Sequence, residues 1–140
     1  MRYIDKIILH CSATPEGREV TADEINEWHE ARGWDGIGYH YVIGLDGEIE
    51  EGRPLEKRGA HCRNQNRYSV GVCYIGGLDE DGEPKDTMTD AQVAAFYNIV
   101  EHLRITIDEC LPIYGHRDFS TKSCPCFDVD DKFGVNYTQP

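Results

Sequence analysis

The stretch "IYGHRDFSTKSCPCFD", Ile113 to Asp128, places one histidine, one lysine and two cysteines in a short irregular segment. His116 and Cys124 carry donors that suit a borderline-soft metal ion, and Lys122 between them offers a positive charge. Two donors leave such an ion half held, so the segment needs a partner from elsewhere. His10 in "LHCSAT" resembles His116 in "YGHRD", since each follows an apolar run and precedes a polar loop. A side chain at that place tends to point into the crevice beyond the strand ends of an open α/β sheet. Two neutral imidazoles and a thiolate satisfy zinc, and three protein donors leave one tetrahedral corner open, as catalytic sites do. Taken singly, each of the three reads as a packed core residue or a loop thiol. Spacing alone does not assemble them.

Elements that would position these residues are legible along the chain. "YIDKIILHC" predicts a buried strand with His10 near its end. "TADEINEWHEARGW" predicts an amphipathic helix: Thr21 caps it, Glu24 completes a capping box, Ile25 and Trp28 share a face, and Gly33 stops it. "IGYHYVIGLDGEIEEGR" predicts a hairpin turning at Asp46-Gly47. The almost unbroken apolar run "SVGVCYIGG" marks a central strand covered on both faces. "GLDEDGEPKDT" reads as a solvated acidic loop. "TDAQVAAFYNIVEHLRITI" predicts the longest helix, with a Thr89–Gln92 capping box and Val93, Phe96, Val100, Leu103 and Ile107 on one side. "LPIYG" is a short strand and "FDVDDKFG" a final helical turn or two. This order gives the fold class α/β: a central mixed sheet flanked by helices, in a single domain spanning 1–140.

Composition narrows the partners. Lys+Arg 14 against Asp+Glu 26 gives a net charge of −12. Nucleic-acid binding needs a concentrated basic surface, so that class is excluded, and adhesion to anionic lipid is disfavoured. The start "MRYIDKIILHCSAT" has only the short run Ile7 to Leu9 and reads as neither signal peptide nor membrane span. Synthesis in the cytoplasm follows, and with it reduced thiols and metal ligation, rather than three disulfides, for Cys11, Cys62, Cys73, Cys110, Cys124 and Cys126.

Five motifs, "LHCSAT", "GWDGIGYHYVI", "GAHC…SVGVCYIGG", "YGHRD" and "KSCPCFD", occur in the order seen in type 2 N-acetylmuramoyl-L-alanine amidases. The chain resembles the phage lysozyme-like zinc amidases and, more distantly, the peptidoglycan recognition proteins, from about Tyr3 to Phe127. That resemblance implies an amidase-like fold, a Zn2+ cofactor and a peptidoglycan or muropeptide substrate. It implies His10, His116 and Cys124 as zinc ligands, Tyr39 and Lys122 as catalytic residues, and His61 as a substrate contact. The implied reaction is hydrolysis of the amide between the lactyl group of N-acetylmuramic acid and L-alanine. Zinc would activate a water and polarise the carbonyl, while Lys122 steadies the oxyanion and Tyr39 orients the water or helps move its proton. The chain would act as a monomer on the cell wall, after release or dedicated export.

Two rivals remain at this level. One is a muropeptide-recognition module of the same fold, which the presence of Cys124 with Tyr39 and Lys122 disfavours. The other is a thiol enzyme using Cys124 or Cys126, insensitive to chelators. Among the other residues, His29-Glu30 opens like a zincin helix, but the second histidine position is Gly33. His29 is then a surface or half-buried residue. His40 alternates with Tyr39 along a strand and packs on the opposite face. Cys11 and Cys73 are small core residues, and Cys62, Cys110 and His102 have no readable role. Asp118 either supports a ligand or caps its loop. Trp34, Tyr41 and Tyr68 either line a sugar groove or pack.

Overall fold

The apolar run after Lys6 forms strand β1 (Lys6–Cys11), and every residue in it beyond Lys6 is buried. The structure, a computed structural model, describes residues 2–134. A strand so fully apolar belongs inside a mainly parallel sheet. β1 lies between two parallel neighbours, β5 (Ser69–Tyr74) and β7 (Ile113–Gly115). On its far side β5 pairs in parallel with β3 (Tyr41–Ile43), which pairs antiparallel with β4 (Ile49–Glu51). The order is therefore β4-β3-β5-β1-β7, with "SVGVCY" at the centre as its sequence predicts. A small parallel pairing of β2 (Thr14–Pro15) with β6 (Gly77–Leu78) follows the ends of β1 and β5 and has no sequence signature.

Both expected capping boxes form. Helix α1 (Ala22–Ala31) starts where the Thr21 hydroxyl accepts from the Glu24 amide at 3.1 Å and the Glu24 carboxylate accepts from the Thr21 amide at 3.3 Å. Helix α2 (Asp90–Thr106) repeats the device with Thr89 and Gln92, at 3.0 and 2.9 Å. A short helix α3 (Val129–Phe133) follows Asp128, whose carboxylate accepts from the Asp131 amide. Among the described residues no helix is long and apolar enough to cross a membrane.

Strand alternation sorts side chains onto two faces. Ile7 and Leu9 of β1 and Val70, Val72 and Tyr74 of β5 pack with Phe96, Val100 and Leu103 of α2. On the other face Val42, Cys73 and Ile75 pack with Ile25 of α1. His10 stands beside Cys73 in the β1–β5 register and so belongs to this second face.

Two expectations are corrected. The hairpin strand begins only at Tyr41, so strict alternation does not govern Tyr39 and His40. His40 is buried, but its ring lies 6.0 Å from that of His61 instead of across the sheet. Its Nδ1 accepts from the Gly71 amide at 3.0 Å, and its Nε2 donates to the Lys57 carbonyl at 2.8 Å. His29 is buried, not superficial, because its Nδ1 accepts at 2.9 Å from the amide of Gly38, a backbone donor that would otherwise be left without a partner.

Candidate metal centre

Strand register explains why two histidines far apart in sequence meet. β1 and β7 are parallel neighbours with Leu9 opposite Gly115, so the next residues, His10 and His116, emerge side by side at the carboxyl edge. Their ring centroids are 4.5 Å apart. The third donor comes from the loop after β7, which is tied back by backbone bonds. The Arg117 amide donates to the Cys124 carbonyl at 2.7 Å, and the buried Tyr74 hydroxyl donates to the Pro125 carbonyl at 2.7 Å. Cys124 Sγ accepts from the Cys11 amide at 3.1 Å, which fixes the sulfur beside the end of β1. Asp118 caps this loop: its carboxylate accepts from the Gly115 amide at 2.9 Å.

Ring nitrogens of His10 and His116 and the Sγ of Cys124 lie within 4.8 Å of one another. A tetrahedral zinc spaces such donors roughly 3.3–3.7 Å apart, so side-chain torsions of about an ångström close the set. Burial, followed by the nearness of His61, His116 and Lys122, holds the His10 pKa well below its ordinary value and keeps the ring neutral, as a ligand must be. Donor types and number, with a neutral His10 ring, thus fit zinc.

Tyr39 is half-buried with its ring 5.1 Å from that of His10. Burial of its hydroxyl pushes the pKa well above the ordinary phenol value, so the group is a neutral donor and not a phenolate base. Lys122 is exposed and stands, with His116, between two halves of one cleft. The smaller half, about 190 Å³, is walled by Ser12, Trp28, His29, Arg32 and Tyr39. The larger, about 490 Å³, is walled by Trp34, His61, Arg63, Asn66 and Phe119. Arg32, Arg63 and Lys122 give a cationic rim to a chain of net charge −12. A separate groove of about 640 Å³ runs along the outer face of α2 past Tyr97 and Ile105 and does not reach these residues.

His61 is buried with both ring nitrogens engaged: Nδ1 is 2.8 Å from His10 Nε2, and Nε2 is 3.2 Å from Ser69 Oγ. All six cysteines are unpaired. Cys126 lies outside the donor group, with its Sγ 3.8 Å from that of Cys11, and burial raises its pKa to about 12. The hydrogen bond with Cys124, then burial, pushes the Cys11 thiol up as well, so Cys11 and Cys126 both stay thiols. Trp34 borders the cleft, whereas Tyr41 packs into the α2-side core and Tyr68 stacks edge-on with Tyr3. Sequence reasoning missed His29, Arg32 and Ser69 as neighbours of the site. Only Arg32 had a readable cue, its position just past the last turn of α1.

A family model described as N-acetylmuramoyl-L-alanine amidase matches residues 1–127. The endolysin of Klebsiella phage KP32 is 38% identical over 124 residues, covering 89% of this chain and 82% of that protein. Peptidoglycan-recognition protein SC2 of Drosophila melanogaster is 34% identical over 131 residues, covering 88% of this chain and 68% of that protein. Among solved structures, the endolysin amidase LysCS from Clostridium intestinale URNW superposes with a TM-score of 0.80 at 26% identity, over 96% of this chain and 86% of that one. Matched in sequence and in fold over nearly its whole length, the chain belongs to the N-acetylmuramoyl-L-alanine amidases and is an enzyme of peptidoglycan hydrolysis.

Proposed function

We propose that the chain is a zinc-dependent amidase that cleaves the bond between the lactyl carbonyl of N-acetylmuramic acid and L-alanine. His10, His116 and Cys124 would hold the ion, and Tyr39 and Lys122 would act on the reacting atoms. The observation that carries this reading is the convergence of three donors within 4.8 Å, two of which, His116 and Cys124, line the cleft. Bound zinc supplies an activated water and polarises the scissile carbonyl. Lys122 places an ammonium beside that position, where one preorganised donor is worth ~3 kcal/mol to the developing oxyanion. Tyr39, neutral throughout the working range, orients the water by hydrogen bonding. Among the described residues no Asp or Glu lines either half of the cleft.

The substrate is a muropeptide strand, anionic overall, and the rim of Arg32, Arg63 and Lys122 suits it locally despite the acidic exterior. Like the phage endolysins that it resembles, the enzyme would meet its substrate in the cell wall. The test pairs metal analysis with digestion of purified wall. One equivalent of zinc, loss of digestion with a chelator and recovery on adding zinc are expected; full activity of metal-free protein would overturn the reading. Cys124→Ser should lose tight zinc binding and hydrolysis while its circular dichroism matches the parent.

A further inference from the structure

We propose that His61 is a positioning residue that fixes His10 as the Nε2–H tautomer and so makes Nδ1 its metal-facing donor. This rests on the zinc reading above and assigns His61 a role other than substrate contact.

The direction of the hydrogen bonds follows from the far end of the chain of contacts. Ser69 Oγ lies 2.7 Å from the Gln65 carbonyl oxygen, which can only accept. The hydroxyl's single proton is therefore spent there. At its 3.2 Å contact with His61 Nε2 the same oxygen must accept, so the proton sits on His61 Nε2. His61 is enclosed, with a hydroxyl on one nitrogen and an imidazole on the other, a pairing that a ring with its single proton on Nε2 satisfies at both ends. Its Nδ1 is then bare and accepts from His10 Nε2 at 2.8 Å. A neutral His10 protonated on Nε2 has its lone pair on Nδ1. A backbone carbonyl thus sets, through a serine and an imidazole, which nitrogen of His10 can bind metal.

The seat of the His61 ring looks built for this. A Cβ at Gly71, in the middle of β5, would stand 2.5 Å from ring carbons of His61, and one at Gly59 would also strike the ring. Both glycines therefore leave a slot one ring thick. The loop carrying His61 is held by Asn66, whose side-chain oxygen accepts from the amides of His61 and Cys62 at 2.8 and 3.0 Å. Outer partners of metal-bound histidines are usually carboxylates, carbonyls or waters, and losing one typically lowers metal affinity 10–100-fold. Here a second imidazole fills that place.

The experiment uses the full chain and three substitutions. In the metal-free parent, ring nitrogen shifts from long-range nitrogen–proton NMR should report His10 as a single Nε2–H tautomer. His61→Ala and Ser69→Ala should each give a mixture of tautomers. Zinc affinity, read by competition with a chromophoric chelator, should fall about 10–100-fold in His61→Ala. It should return to within about threefold of the parent in His61→Asn, whose Oδ1 replaces Nδ1 as acceptor. Parent-like zinc affinity and an unmixed His10 tautomer in His61→Ala would overturn the proposal, as would a raised KM with both unchanged, the pattern of a substrate contact. If His61→Ala does not fold, Ser69→Ala decides: a parent-like His10 tautomer in that variant refutes the relay. Failure of the zinc reading itself would show differently, as a parent that takes up no zinc while its His10 tautomer remains fixed.

Discussion

Each side chain at the centre does one thing that its immediate contacts permit. Tyr39 is held neutral by burial and packs on His10, so in the proposed reaction it would donate a hydrogen bond. Tyr39→Phe should keep one equivalent of zinc and lower kcat by roughly 10²-fold, the lower end of what a positioned proton donor contributes. Single-turnover digestion beside metal analysis reads both, and an unchanged rate would remove the phenol from the mechanism. Lys122→Ala should likewise keep zinc and cost roughly 10²–10³-fold in kcat, since one oxyanion donor is lost. At this scale the sequence told a good deal. His10, His116, Cys124, Tyr39, Lys122 and His61 do gather around one cleft. They were legible only as a family pattern, because contacts between β1, β7 and the loop at Cys124 depend on sheet order, which local sequence does not encode. His29 and Ser69 escaped because their roles are hydrogen bonds to backbone or to another histidine, and neither leaves a spacing motif.

Elements place those residues, and their ends matter most. Capping boxes at Thr21 and Thr89 were legible because they are local: four consecutive residues hold all the donors and acceptors involved. What the sequence hid is that Gln92 also crosses to the sheet. Its side-chain amide donates to the carbonyls of Ile43 and Ile75 at 3.2 and 3.0 Å, so one buried side chain ties α2 to β3 and to the end of β5. Gln92→Leu should remove the cap's return bond and leave a buried carbonyl unpaired, costing about 2–3 kcal/mol and on the order of 10 °C in Tm. Thermal denaturation checks it. Because α2 lies on the sheet face opposite His10, kcat measured well below the new Tm should be unchanged. The early start expected for the hairpin strand failed for a related reason. Backbone groups around Tyr39 and His40 bond to Gly71, Gly52, Arg53 and the His29 ring, partners that a strand-pattern reading cannot foresee.

The whole molecule carries an acid-sensitive interior. His10, His29, His40 and His61 are all buried, and burial depresses each pKa; His29 and His40 fall to about 4. A histidine whose folded pKa lies below its unfolded value binds fewer protons when folded, so the unfolded chain gains on it as pH falls. Stability is therefore fully present above pH ~6.5 and declines as pH drops towards ~4. For His40, which is 1% exposed, the full swing is roughly 3 kcal/mol. Urea denaturation of the metal-free protein between pH 7 and 4.5 should show this decline. His40→Gln should flatten the curve, and an equally steep curve in that variant would assign the effect elsewhere. The sequence listed six histidines but not their burial, since burial comes from layers on both sides of the sheet.

Pairing of Leu9 with Gly115 has an outcome for quality control of folding. A slip of one residue between β1 and β7 would turn His10 towards α2 and withdraw it from His116, because successive strand residues point to opposite faces. Chains trapped in such a misalignment could be compact and well populated in helix and strand, yet blind to the ion. Metal uptake would then act as a proofreading step, separating correctly threaded molecules from near-copies that optical measurements of secondary structure count as native.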